Sequence, residues 1–285
     1  MKARRPRDGA RLLASWWLAA CASLLVAVGP AAADVAWDFD GVERVIAISD
    51  IHGAHDAFVE TLRAASLVDE RLDWRGGRTH LVIVGDILDR GDQSRAAMDL
   101  LMRLEPQASA AGGRVHVVLG NHELMNLVGD LRYVSLGEFK AFASEEAPLA
   151  RNTAYARHIA DVRRAGRGAR RLTREEFDER FPPGFFAHRE AFAASGAYGR
   201  WLLGKPLVLR INDTLFAHAG LSEALTRMSL EAINGPLRGE LVAYVQLLEQ
   251  ATRNGRLEAT VDFYELAARL EVQSDATLRL SLIHI

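Results

Sequence analysis

Arg44-Val45-Ile46-Ala47-Ile48-Ser49-Asp50-Ile51-His52-Gly53, Leu81-Val82-Ile83-Val84-Gly85-Asp86-Ile87-Leu88-Asp89-Arg90-Gly91 and Val115-His116-Val117-Val118-Leu119-Gly120-Asn121-His122-Glu123 follow one pattern. Each is a short β-branched, apolar run that breaks at a glycine-bearing turn carrying Asp, Asn or His. After the first run, residues 56–67 place apolar side chains at helical spacing. After the second, a helix is expected from about Gln93 to Leu104, with Pro106 beyond its end. Residues 207–211 and 214–218 read as a hairpin around Asn212-Asp213, which again brings a histidine, His218, to a strand end. Buried strands alternating with helices predict an α/β fold. In such sheets ligands sit at loops beyond the carboxyl ends of the strands.

Taken singly, each turn is weak evidence. Asp-x-His is commonly a turn with a capping carboxylate, and Asn-His a loop with local hydrogen bonds. Four of them at four strand ends converge on one sheet edge. Asp50, His52, Asp86, Asn121 and His218 form a donor set of oxygen and nitrogen without sulfur. It suits divalent Mn, Fe, Zn or Ni better than a soft metal or an all-oxygen calcium site. Two carboxylates, two imidazoles and an amide exceed what one open catalytic ion needs, so two metals are expected. One carboxylate must then bridge, and Asp86, leaving the central predicted strand, is placed to do so.

With these motifs in view, the sequence resembles the calcineurin-like metallophosphoesterases. Asp89-Arg90-Gly91, Gly120-Asn121-His122-Glu123 and His218-Ala219-Gly220-Leu221 are similar to the phosphoprotein phosphatase branch. The context Gly91-Asp92-Gln93-Ser94, Met125-Asn126 and Gly129-Asp130-Leu131-Arg132-Tyr133 is most similar to the bacterial Shewanella-like protein phosphatases. The resemblance covers about residues 37–235. It implies a β-sheet sandwich flanked by helices, with Asp50, His52 and bridging Asp86 on one metal, and Asp86, Asn121 and His218 on the other, Mn being the expected ion. It further implies that Asp89 pairs with His122 and that Arg90 and Asn121 hold the phosphate. Chemically, two cations lower the pKa of a shared water, giving a hydroxide that attacks phosphorus in line. His122, beside a ligand but unable to reach the same ion easily, is free to protonate the departing oxygen.

The implied function is hydrolysis of phosphomonoesters on a phosphorylated protein, peptide or small molecule. Hydrolysis of dinucleoside polyphosphates or other small phosphoesters is the enzymatic alternative. A metal-binding or interaction protein without catalysis is another class, against which Asp89, His122 and Arg90 count. In one respect the chain departs from the family, which supplies a further metal-ligating His and normally another phosphate-binding Arg after His218. Here the only later histidine is His284. The second metal site is therefore expected to be incomplete in a C-terminally truncated catalytic domain (residues 34–279), with weak metal retention and little turnover. Residues 280–285 match a translated sequencing-library adapter and are expected to be a foreign tail.

Residues 131–204 lack a strand-like run and are expected to form a helical insert, with Thr173-Arg174-Glu175-Glu176 as a capping box. Its arginines either receive an acidic substrate or belong to a solvated, charge-balanced surface; the second is the default for any one of them. Arg132, near the third motif, is a candidate phosphate contact. His80, His116, His158 and His188 carry no motif and read as packing residues.

Composition sets the outer bounds. The chain has 285 residues, 49% of them hydrophobic and 25% charged, with 35 Lys+Arg against 37 Asp+Glu. There is no basic field to attract nucleic acid, and one cysteine excludes an internal disulfide framework. Residues 1–33 have the order of an export signal: Lys2, Arg4, Arg5, Arg7 and Arg11, an apolar stretch over 12–29, then Ala31-Ala32-Ala33. A periplasmic or secreted protein, without stable membrane association after cleavage, is expected. Leu18-Ala19-Ala20-Cys21 also has the look of a lipoprotein box, but the residues after Cys21 stay apolar. Mass spectrometry of the exported protein should find Asp34 at the N-terminus, whereas an acylated Cys21 would replace simple cleavage by lipid anchoring.

Overall fold

The computed structural model describes residues 37–166 and 171–266, so the signal read at 1–33 and the tail at 280–285 lie outside the described residues. Three strands, β2 (Val45–Ile48), β3 (His80–Val84) and β4 (Arg114–Val118), form a parallel sheet in the order β2-β3-β4. Ile46 is level with Leu81, and Leu81 with Val115. Strand alternation then sorts the side chains. Leu81, Ile83, Val115 and Val117 share a buried cluster with Leu62 of α1 (His55–Ala64) and Met98, Leu101 and Leu104 of α2 (Ser94–Ala110). Val82 and Val118 take the opposite face and meet Leu209 and Ile211.

The last two belong to β5 (Val208–Ile211), the centre of a second sheet. It runs parallel to β1 (Asp38–Phe39) and antiparallel to β6 (Thr214–Ala217). The two sheets pack face to face, and α9 (Leu230–Arg253) covers the second from outside. Ser229 caps α9 by accepting from the Ala232 amide at 3.1 Å. Buried Asn234 clips it to β5, accepting from the Leu207 and Val208 amides at 2.9 and 3.1 Å and donating to the Val208 carbonyl at 2.8 Å. The result is the expected α/β sandwich.

Three local departures have physical causes. β1 is two residues long and runs on pairing with β5, so no periodicity announces it. α2 continues through Pro106 to Ala110 instead of ending before it. A proline inside a helix costs about 3 kcal/mol, but Leu104 and Ala108 on either side are fully buried. The Gln107 side chain, accepting from the Trp74 amide and donating to Asp73, ties the last turn down as well. α9 lies where the sequence showed little beyond the hairpin.

Among the described residues, 131–204 holds helices and no strand: α4 (Leu136–Lys140), α5 (Pro148–Ala165), α6 (Arg174–Arg180), α7 (Phe185–Ala191) and α8 (Ala197–Leu203). The capping box is present: Thr173 accepts from the Glu176 amide at 3.2 Å, and Glu176 accepts in return from the Thr173 amide at 2.8 Å. The insert has its own aromatic core of Phe139, Phe177, Phe181, Phe185 and Phe186. Three of its arginines pair with acids of the insert itself: Arg151 binds Glu146 and Asp178, Arg174 binds Asp178, and Arg164 binds Asp161. This supports the charge-balanced reading of that surface. No helix among the described residues is long and apolar enough to cross a membrane.

Two buried histidines make the fold acid-sensitive. Burial, then the neighbouring His80 and Arg114, pushes His116 down to about 3. Burial among Phe139, Phe142 and Phe192, then Arg189, does the same to His188. Both are neutral when folded but bind protons near pH 6.5 when unfolded. Their stability contribution is therefore intact above pH 6.5 and is lost as pH falls from there toward 3, at about 1.4 kcal/mol per unit per group. Denaturant unfolding at pH 5.0, 5.5, 6.0 and 7.0 should show this slope, and His188→Phe should flatten it by about one proton's worth.

Candidate functional site

The turns after β2 and β3 are built together. The His52 and Gly53 amides donate to the carbonyls of Asp86 and Ile87, both at 2.9 Å, and the Gly91 amide donates back to His52 at 3.0 Å. This approach needs glycine, since a Cβ on Gly53 would stand 2.8 Å from the Gly91 carbonyl carbon. Asp50, His52, Asp86, Asp89 and Arg90 all have positive φ, between 45° and 70°. Such left-handed conformations cost on the order of 1–3 kcal/mol each and persist only where the surroundings hold them.

Glu123, on the first turn of α3 (Asn121–Val128), supplies much of that hold. It is fully buried, and its carboxylate accepts from the amides of Asp86 and Gly120 at 2.8 Å through one oxygen. Through the other it accepts from Ile87 at 2.8 Å and Leu88 at 3.3 Å. Burial, then the Asp86 carboxylate, pushes the Glu123 pKa up, while these backbone bonds oppose the rise. The sequence analysis used Glu123 only as part of a motif. Its signal is a glutamate at the third helical position behind a glycine, the place of a capping box.

Four histidine nitrogens show what the turns are arranged for. His52 Nδ1 lies 2.9 Å from the Leu88 carbonyl and His218 Nδ1 2.8 Å from the Val84 carbonyl. A carbonyl only accepts, so both Nδ1 atoms carry the proton and both Nε2 atoms present lone pairs. These lone pairs face one buried oxygen, Asp86 Oδ2, at 3.6 Å from His52 and 3.3 Å from His218. His52 Nε2 is buried without a hydrogen-bond partner. Asp50 lies 3.6 Å from the same nitrogen, and Asn121 Oδ1 lies 3.1 Å from His218 Nε2. Electron-rich atoms converging in a buried place repel one another unless a cation sits among them. The donor set thus fits divalent metal, and His52, Asp86 and His122 each offer an atom within 4.8 Å of one another.

Beside this cluster stands a second pair. His122 Nδ1 lies 2.7 Å from Asp89 Oδ2, and both side chains are buried. Burial pushes the Asp89 pKa up, opposed by hydrogen bonds from Asn126 and His122. Arg90 Nη2 reaches within 3.5 Å of His122 Nε2, and the Arg90 amide donates to the Tyr133 carbonyl at 2.9 Å. The Tyr133 ring lies 5.2 Å from that of His122 and forms part of the wall, a role its sequence context did not reveal.

The calcineurin-like phosphoesterase family profile matches residues 43–255. The chain belongs to this family. The match runs through α9, beyond the limit of about residue 235 read from the motifs. Relatives include Shewanella-like protein phosphatase 2 of Arabidopsis thaliana, 32% identical over 209 residues that make up 70% of this chain and 52% of that protein. Shewanella-like protein phosphatase 1 of Plasmodium berghei is 28% identical over 191 residues, 67% of this chain and 42% of the other. Among solved structures, the cold-active protein-tyrosine phosphatase of a psychrophilic Shewanella species superposes with a TM-score of 0.52. It is 28% identical and covers 72% of this chain and 51% of its own. The chain spans about half the length of these relatives.

Asp50, His52, Asp86, Asn121 and His218 are therefore brought together, with Asp89, His122 and Arg90 alongside. Arg132 is the exception. Its guanidinium is held by Asp130 through two bonds, at 2.8 and 2.7 Å, and lies against Tyr264. It lines a separate cavity of about 730 Å³ between α5, α7 and α9 rather than the metal cluster. In this arrangement a carboxylate two residues away binds it bidentately, so its guanidinium is not among the groups gathered at the cluster. Asp86→Asn should abolish tight Mn binding in titration calorimetry, a loss greater than the about 10- to 100-fold typical of an outer partner. Arg132→Ala should leave it unchanged.

Proposed function

We propose that the protein is a dinuclear-metal phosphatase that hydrolyses phosphomonoesters of phosphorylated proteins or peptides. The observation that carries this reading is the meeting of His52 Nε2 and His218 Nε2 at Asp86 Oδ2, next to the buried Asp89–His122 pair and Arg90. Asp50, His52 and Asp86 would hold one divalent ion, and Asp86, Asn121 and His218 the other. Once bound, such ions supply an activated water and neutralise phosphate charge.

The remaining work falls to side chains of the chain itself. Arg90 is exposed beside His122, and its planar guanidinium matches two phosphate oxygens at once. As the bond from phosphorus to the ester oxygen breaks, that oxygen takes the proton from His122 Nε2. His122 is left as the neutral tautomer with its proton on Nδ1, held by the Asp89 carboxylate. The relatives, two protein phosphatases and a protein-tyrosine phosphatase, support the substrate class. With the export signal read at residues 1–33, the substrates lie outside the cytoplasm.

Expressed with Mn, the protein, with the low turnover expected of an incomplete second metal site, should still favour phosphotyrosine or phosphoserine peptides over dinucleoside polyphosphates. His122→Asn should bind Mn normally yet lose about 10²- to 10⁴-fold in kcat. An unchanged rate would refute the proton-donor role, and a preference for dinucleotides would replace the substrate class.

A further inference from the structure

Both oxygens of the Asp89 carboxylate are occupied. His122 Nδ1 donates to Oδ2 at 2.7 Å, and Asn126 Nδ2 donates to Oδ1 at 2.9 Å. Asn126 follows His122 by one turn of α3 and is itself buried. The other hydrogen of its amide goes to the His122 carbonyl at 3.0 Å. A planar amide with two committed hydrogens cannot turn without breaking one of them, so it also fixes the plane of the carboxylate it meets. Asparagine is a poor choice for a helix interior, where its side chain competes with backbone bonds. Here that side chain is spent on the Asp89–His122 pair. The end of the helix is anchored in turn from the insert, because Arg189 of α7 donates to the Asn126 carbonyl at 3.1 Å. That carbonyl is among the last four, which a helix leaves without intrahelical partners.

We propose that Asn126 is a positioning residue that acts through Asp89. By holding Oδ1, it turns Oδ2 to His122 and keeps one imidazole proton on Nδ1, so that Nε2, with the proton to be transferred, faces the ester oxygen. This rests on the reading of His122 as proton donor. A leucine at 126 would fill the same space but leave Asp89 Oδ1 buried without that donor. The ring of His122 would then lose its single orientation.

The test uses the full chain with Asn126→Leu, and with Asn126→Ser as a milder variant that keeps a donor of shorter reach. Ring ¹⁵N shifts of His122, identified by their loss in His122→Asn, report which nitrogen carries the proton. For the neutral ring, the state left after proton transfer, we expect the Nδ1–H tautomer in the parent and a mixture in Asn126→Leu; an unchanged tautomer would overturn the proposal. In kinetics with Mn, Asn126→Leu should lower kcat for phosphoserine by about 10- to 100-fold. It should lower kcat for p-nitrophenyl phosphate much less, since that leaving group departs without a proton. In an Asp89→Asn background the same change should cost almost nothing further, and additive losses would show that Asn126 does not act through Asp89. If His122→Asn slows both substrates equally, the proton-donor reading fails separately, and the ¹⁵N shifts alone decide whether Asn126 orients the ring.

Discussion

Four backbone amides meeting the Glu123 carboxylate are the constraint on which the site depends. Asp86, Ile87 and Leu88 stand in a turn that begins in a left-handed conformation at Asp86, and Gly120 opens the helix bearing Asn121 and His122. One buried anion thus fastens the second metal-binding turn to the third. Amides that would otherwise point into the core without partners are satisfied by a group whose own burial would be costly without them. The Leu88 carbonyl, oriented by the same turn, then selects the tautomer of His52. A carboxylate that touches no metal ligand side chain in this arrangement still decides how two of them are presented.

A similar logic of outer contacts runs through the insert. Glu138 of α4 accepts from the amides of Ser94 and Arg95 at the start of α2, at 2.9 and 3.1 Å. The Ser94 hydroxyl accepts from the Asp89 amide at 3.2 Å. Asp89 is therefore supported through its backbone from α4 and through its side chain from α3. The insert is part of the scaffold of the Asp89–His122 pair, and it brings its own aromatic core.

Much of this was legible in the amino-acid sequence because the ligands stand at strand ends, where topology alone brings them together. Asp50, His52, Asp86, Asn121 and His218 needed only the strand pattern and the hairpin at Asn212. Arg132 is not gathered with them: nearness to a motif in sequence does not say where a long side chain goes, and Asp130, two residues earlier, binds it. The α2 extension past Pro106 was hidden because local propensity opposes it and tertiary burial of Leu104 and Ala108 overrides it. Glu123 and Asn126 were visible as letters, but their roles depend on which amides and carboxylates face them in three dimensions.

The pairing of Asp38 with Arg210 spans 172 residues, so the two sheets differ sharply in how far apart in the chain their partners lie. β2, β3 and β4 follow one another with single helices between them, so their sheet closes through comparatively short loops and can form while later parts of the chain are still being made. That sheet already carries Asp50, His52, Asp86 and Asn121. The sheet with β1 at its edge waits for β5, and β6 delivers His218 only then. The donors proposed for one ion thus all lie on the sheet built from neighbouring stretches of chain, whereas those proposed for the other are completed only where the second sheet closes across most of the sequence.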